Sequence, residues 1–268
     1  MKNTMFKSKY GDIYYELTRV EQKPMVVFTH GVGMDHKTFY AQVNALKSDY
    51  NVLVWDLPGH GNSSLKNYHK RFTVLSAECL NDLMKGLNIQ EAYFVGQSLG
   101  SMIVQHFQIK FPEKVKATIH VPGIELTSHV GPWAKKFVPV MMSMLKLIPS
   151  KLFYSSFGKH RAVKKEVQEY LSATMSRTGK KLALAITKDM AYDLIDESPM
   201  LLKKPMLIAY GEKDLFFIRN AAKKWHKKEP VSQCIEISNA NHIANQDNPE
   251  EFNSAMIAFL HSVVKQDT

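Results

Sequence analysis

Gly96-Gln97-Ser98-Leu99-Gly100 sets a serine between two glycines. The run Ala92-Tyr93-Phe94-Val95 before it reads as a buried strand, and Met102-Ile103-Val104-Gln105-His106-Phe107 after it as a helix. A serine at such a junction sits in a strained turn that lifts its hydroxyl into a pocket, and the glycines remove Cβ atoms that would collide there. Because a hydroxyl is a weak nucleophile at neutral pH, a base must take its proton and a carboxylate must orient that base. Both follow in the chain. The strand pattern Pro205-Met206-Leu207-Ile208-Ala209-Tyr210 ends in Gly211-Glu212-Lys213-Asp214, which makes Asp214 the expected acid with Glu212 in reserve. A second strand pattern, Cys234-Ile235-Glu236-Ile237-Ser238, leads to Asn239-Ala240-Asn241-His242, which makes His242 the expected base. His226, on an amphipathic helix, is a poor rival. Singly, an aspartate closes a turn and any of eleven histidines is an ordinary polar residue. The joint order, each residue at a strand's end, is what points to nucleophilic catalysis.

Two further loops belong with these. Met25-Val26-Val27-Phe28-Thr29 runs into His30-Gly31-Val32-Gly33. There the backbone N–H of Val32, with that of Leu99 after the serine, is placed to receive a developing oxyanion. His30 is expected to hold its loop by hydrogen bonds rather than to react. Asp56-Leu57-Pro58-Gly59-His60-Gly61-Asn62-Ser63 follows another strand pattern, and its proline and glycines enforce a tight loop in which Asp56 and His60 are architectural.

On these motifs the chain resembles the α/β-hydrolase superfamily along nearly its whole length outside residues 124–199. The stretch Ile243-Ala244-Asn245-Gln246-Asp247-Asn248-Pro249-Glu250-Glu251-Phe252 is similar to that of small carboxylesterases and 3-oxoadipate enol-lactonases. Asn241 is a departure, standing where relatives often carry glycine. Serine at the nucleophile position argues against the haloalkane dehalogenase and epoxide hydrolase branches, which place aspartate there. The resemblance implies an α/β-hydrolase fold, a Ser98-His242-Asp214 triad, and a core of residues 1–123 and 200–268 interrupted by a helical cap at 124–199.

The elements that must position these residues are legible as alternating short strands and helices, which imply a mostly parallel, twisted sheet covered by helices on both faces. Strand patterns fall at 13–17, 25–29, 51–55, 92–95, 115–121, 205–210 and 233–238. Helical patterns fall at 39–46, 72–87, 99–110, 218–228 and 249–264. The two cysteines, Cys79 and Cys234, indicate no disulfide framework, and no apolar run approaches the ~20 residues of a membrane span. The expectation is a cytoplasmic protein without a signal peptide or stable membrane insertion. Neither a metal-ligand cluster nor a phosphate-cradling loop is present, so the reading needs no cofactor and no metal.

The net charge of +10 is uneven, because residues 125–204 carry fourteen Lys or Arg against seven Asp or Glu. That span attracts an anionic substrate or lipid surface, or it is only a solvated helical surface rich in lysine. Nucleic acid is not indicated, since no recognition module accompanies the charge. Within it, 137–149 is apolar almost all round and bounded by prolines. It either packs the cap onto the core or lines an acyl pocket with Met141, Met142, Met144 and Leu145. The chemistry expected is hydrolysis of a carboxylic ester, lactone or thioester of small to medium size through an acyl-enzyme. C–C bond hydrolysis or cofactor-free perhydrolysis on the same triad, and a non-catalytic sensor of small ligands, are the alternatives.

Overall fold

The computed structural model describes residues 2–20, 22–126, 132–196 and 202–267. Its sheet is formed by β1 (Lys2–Ser8), β2 (Gly11–Thr18), β3 (Met25–Thr29), β4 (Asn51–Trp55), β5 (Ala92–Gln97), β6 (Val115–Val121), β7 (Met206–Gly211) and β8 (Ser232–Ile237). The helices are α1 (Tyr40–Leu46), α2 (Phe72–Gly86), α3 (Leu99–Lys110), α4 (Phe137–Leu147), α5 (Ser150–Lys159), α6 (Lys165–Thr178), α7 (Lys180–Asp196), α8 (Phe216–Lys228), α9 (Ala244–Asp247) and α10 (Pro249–Asp267). The strand order is β1-β2-β4-β3-β5-β6-β7-β8. β2 runs antiparallel to β1 and β4, and the remaining neighbours are parallel.

β3, β4 and β5 are buried along their whole length, as continuous apolar strands covered on both faces must be. The period of two decides which face each residue fills. Val27, Leu53 and Phe94 meet Leu80 and Leu83 of α2 and Ile103 and Phe107 of α3. Val26, Phe28, Val52 and Val54 meet Val43 and Leu46 of α1 and Phe252, Met256 and Leu260 of α10. Because β3, β5, β6, β7 and β8 are contiguous and parallel, the loops that follow β3, β5, β7 and β8 emerge at one edge. Those loops carry His30 to Asp35, Ser98, Asp214 and His242.

Two features depart from the sequence reading. β1 was not expected, because Lys2-Asn3-Thr4-Met5-Phe6-Lys7-Ser8 is polar. As an edge strand held by β2 alone it needs only one buried side. The second is at Pro139: α4 begins at Phe137, so this proline lies in its first turn, where no intrahelical N–H bond is lost, instead of bounding the helix, and the described residues between β6 and β7 form four α-helices and no strand. Residues 127–131 and 197–201 of the expected 124–199 cap and its boundary lie outside the described residues.

Candidate active site

The turn at Ser98 is the local feature on which the site depends. Ser98 has φ +52° and ψ −114° between β5 and α3, a left-handed backbone that side chains rarely adopt. Its N–H donates to the Val121 carbonyl at 3.0 Å, which pins the turn to β6. The flanking glycines are required by close approach. A Cβ at Gly100 would lie 2.0 Å from the Thr29 carbonyl oxygen, and one at Gly96 would lie 2.5 Å from that of Gly100.

The hydroxyl meets His242, with Ser98 Oγ and His242 Nε2 3.0 Å apart. On the other side of the ring Nδ1 is 3.0 Å from Oδ2 and 3.3 Å from Oδ1 of Asp214. A carboxylate only accepts, so Nδ1 carries the proton and Nε2 is left to accept from the serine. Asp214 is buried, and its Oδ1 also accepts the Leu215 N–H at 2.7 Å. Glu212, the reserve acid, is exposed and accepts the Asn239 N–H at 2.8 Å. His226 is engaged with Ser232 Oγ at 2.8 Å.

Val32, in the loop after β3, and Leu99, directly after Ser98, are both buried. Among the described residues neither backbone N–H has an acceptor. The Val32 loop is held by His30, whose Nδ1 donates to the Gly31 carbonyl at 2.8 Å while Nε2 accepts the Leu57 N–H at 3.0 Å. Burial holds His30 below its ordinary pKa against the opposing charge of Asp56, so a neutral structural ring is what this position keeps. Asp56 is architectural too, accepting from His36 N–H at 2.7 Å, His36 Nδ1 at 2.8 Å and Asn62 N–H at 2.8 Å. Burial would raise its pKa, but the His36 hydrogen bond and the nearby histidines hold it below the ordinary value. Burial pushes His60 down to about 3, with His30 adding to the shift.

Sequence reasoning missed several residues that hold the site together. The buried Gln97 side chain donates to the His242 carbonyl at 3.5 Å, and its Oε1 fills the space where a Cβ of Gly31 would stand, 2.2 Å away. Asp247 accepts from Val163 N–H at 2.9 Å, Lys164 N–H at 3.1 Å and Asn241 N–H at 2.9 Å, joining the histidine loop to the start of α6. Ile243 N–H adds a bond to the Arg161 carbonyl at 3.2 Å. Asp35, in the Val32 loop, accepts from Arg177 and from Tyr170 of α6, both at 2.8 Å, while Met175 covers Gly33. The Arg161 guanidinium stacks on Phe157 at 4.5 Å. Burial lowers its pKa against the opposing charge of Asp214, so a cation stands within the field of that carboxylate. Arg161 had counted in the sequence only as one of fourteen positive charges. The contacts that join the insertion to the Val32 and histidine loops link residues about 80 or more positions apart, so the pattern offered no signal for them.

Asn241 turns out to suit its place. The left-handed residue of this loop is Asn239, at φ +52°, so position 241 does not demand glycine, and the Asn241 side chain accepts the His242 N–H at 2.8 Å. The four residues expected to line an acyl pocket are placed differently from the serine and histidine. Met142 and Leu145 pack with Val138 against Ile195, Ala191 and Tyr192 of α7, and Met141 and Met144 are exposed.

With the elbow and its histidine on one edge of such a sheet, comparison with known proteins becomes decisive. A sequence profile of the alpha/beta hydrolase fold matches residues 24–249. The chain belongs to that family. Carboxylesterase YbfK of Bacillus subtilis is 20% identical over 96% of this chain and 87% of its own length. The 3-oxoadipate enol-lactonase 1 of Acinetobacter baylyi is 24% identical over 91% of each chain. Among solved structures, a malate-bound esterase of Thermogutta terrifontis superposes with a TM-score of 0.82 at 20% identity, covering 98% of this chain and 99% of its own.

Proposed function

We propose that this α/β-hydrolase is a serine esterase that cleaves a small carboxylic ester, lactone or thioester with Ser98, His242 and Asp214. Ser98 Oγ attacks the carbonyl carbon as His242 Nε2 takes its proton. Asp214 holds the imidazole in the Nδ1–H tautomer and stabilises the imidazolium that forms. The N–H groups of Val32 and Leu99 receive the charge that gathers on the carbonyl oxygen. As the tetrahedral intermediate collapses, His242 protonates the leaving alcohol or thiol, and the acyl group stays on Ser98. Water, deprotonated by the same ring, attacks the acyl-enzyme, and the carboxylic acid leaves as Ser98 recovers its proton.

The observation that carries this reading is the unbroken line from Ser98 Oγ through both nitrogens of His242 to Asp214, each step 3.0 Å. Three separate loops have to converge to make it. The carboxylesterase and enol-lactonase relatives agree with an ester or lactone carbonyl as the electrophile. A pimeloyl-[acyl-carrier protein] methyl ester esterase of Vibrio parahaemolyticus, 24% identical over 86% of this chain and 92% of its own, agrees as well. The inserted helices act as a cap, since α6 lies against the Val32 loop and its start is tied to the histidine loop. A panel of p-nitrophenyl acetate, butyrate and octanoate, a γ-lactone and an acyl thioester tests the proposal. Turnover of at least one, lost in Ser98→Ala, is expected; a folded wild type inert toward all five would contradict it.

A further inference from the structure

One exposed apolar surface lies on α4, outside the catalytic groups. Phe137, Val140, Met141, Met144 and Leu147 recur along α4 at the 3, 4 and 7 spacing of a single helical stripe. In a helix packed on a core such a stripe would face inward. Here it faces water, with Phe137 60%, Met144 65% and Leu147 83% exposed. The inward face is a second apolar set, Val138, Met142 and Leu145, already satisfied by α7. Burial of the outer stripe therefore needs a partner. Just ahead of it Trp133 is 64% exposed, whereas Trp55 and Trp225 are buried.

The charge around the stripe says which partner. Residues 126–165 contain seven lysines and Arg161 and not one aspartate or glutamate. Lys136, Lys146 and Lys151, at the two ends of the stripe, are exposed, and none forms an ion pair among the described residues. Beside α4 a groove of about 600 Å³ is lined by Lys146, Lys180, Lys181 and Lys188 over Met142 and Leu184. Lys180 is engaged there, donating to the Lys146 and Ile148 carbonyls at the end of α4. An apolar stripe with an aromatic at one end and a rim of flexible ammonium groups matches the acyl-to-headgroup boundary of an anionic bilayer. Lysines on long stems suit diffuse, mobile negative charge. No single helix among the described residues is long and apolar enough to cross a membrane, and α4 and α5 bend by 109° at their junction; the contact argued for is a peripheral one.

We propose that this protein docks on anionic lipid bilayers through the outer face of α4, with Trp133 at the headgroup level and the lysine rim on lipid phosphates. The proposal does not depend on the hydrolase chemistry. Its test is flotation of the purified full chain with phosphatidylcholine vesicles containing or lacking phosphatidylglycerol, with tryptophan emission followed in parallel. Each lysine near an anionic surface adds about fivefold to binding. The wild type should therefore float at least about tenfold more strongly with phosphatidylglycerol and be released by high salt. Its emission should shift to the blue, and that shift should vanish in Trp133→Phe while flotation largely persists. The Phe137→Glu/Leu147→Glu variant should lose flotation and keep its thermal midpoint and its hydrolysis of a soluble ester. Failure of the wild type to float with anionic vesicles overturns the proposal, and so does flotation that survives the double glutamate variant. A self-association that the double variant abolishes, without vesicle binding, would make the stripe a contact between copies of this chain and overturn it equally.

Discussion

Helices α6 and α4 belong to the same insertion, yet they treat their surfaces in opposite ways. α6 and the turn before it meet the strand ends through directional contacts: Asp35 with Tyr170 and Arg177, and Asp247 with the Val163 and Lys164 N–H groups. α4 satisfies one apolar face on α7 and leaves the other in water. A carboxylate that must accept particular N–H groups fixes position to within a few tenths of an ångström, whereas an apolar stripe fixes only what it is buried in. The side of the insertion near Ser98 is thus built for registry and the outer side for association.

The sharpest way to break this contrast is at the groups the registry serves. Ser98→Ala or His242→Ala should lower kcat on a soluble ester by up to ~10⁶, by analogy with triad removal in a serine protease. Asp214→Asn should cost about 10⁴ because the ring is left in the wrong tautomer, while Glu212→Gln, exposed and bonded to the Asn239 N–H instead of to His242, stays near wild type. Steady-state kinetics of the two variants side by side checks the assignment, and a larger loss for Glu212→Gln would reverse it.

Asp247→Ala tests the registry itself without touching the reacting atoms. Three backbone N–H groups lose their acceptor, so stability should fall by at least about 2 kcal/mol. A displaced His242 should also lower kcat by about 10²-fold, with KM less affected. Urea unfolding and kinetics on the same preparation check both. Unchanged kcat in a folded variant would mean that the insertion and the histidine loop are not coupled.

Acid should act on the core through its buried neutral histidines. Burial takes His60 and His120 down to about 3, so each stays neutral when folded and takes up a proton when unfolded below the ordinary value of about 6.5. The unfolded state then binds more protons, and stability falls with pH across the window from 6.5 to 3 by about 1.4 kcal/mol per pH unit for each ring. His36 runs the other way. Burial lowers its pKa, but Asp56 and Glu16 more than offset that, so its contribution is complete below the ordinary value and is lost as pH rises through the folded pKa. Urea midpoints at pH 7, 6 and 5 should therefore fall steadily; a flat series would remove the buried neutral rings from the account.

The smallest effect is expected on the outer face of α4. Val140→Ser and Leu147→Ser should change stability by no more than about 0.5 kcal/mol, measured by thermal midpoint. They should also leave the acetate-to-octanoate preference unchanged. A shift in that preference would bring the stripe back to the substrate.

What could be read in the sequence follows the same division. Ser98 and its glycines announce themselves because the strain of the turn is local, and His242 and Asp214 because each ends an apolar strand. The polar edge strand β1 was hidden because its half-exposed alternation resembles a loop. The grip of α6 on the Val32 loop was hidden for a different reason. Tyr170 and Asp35 are 135 positions apart, and neither side of that bond has a pattern of its own. In α4 both faces are apolar, so periodicity cannot say which one looks outward, and of the four residues offered for packing the cap or lining a pocket, Met141 and Met144 lie on the exposed side.

Whether Ser98 is the nucleophile is decided by intact-mass measurement after incubation with a fluorophosphonate. One adduct per chain is expected, carried by the peptide containing Ser98, formed much more slowly in Asp214→Asn and absent from Ser98→Ala. An adduct of equal yield on Ser98→Ala, or one mapped to another residue of the wild type, would contradict it.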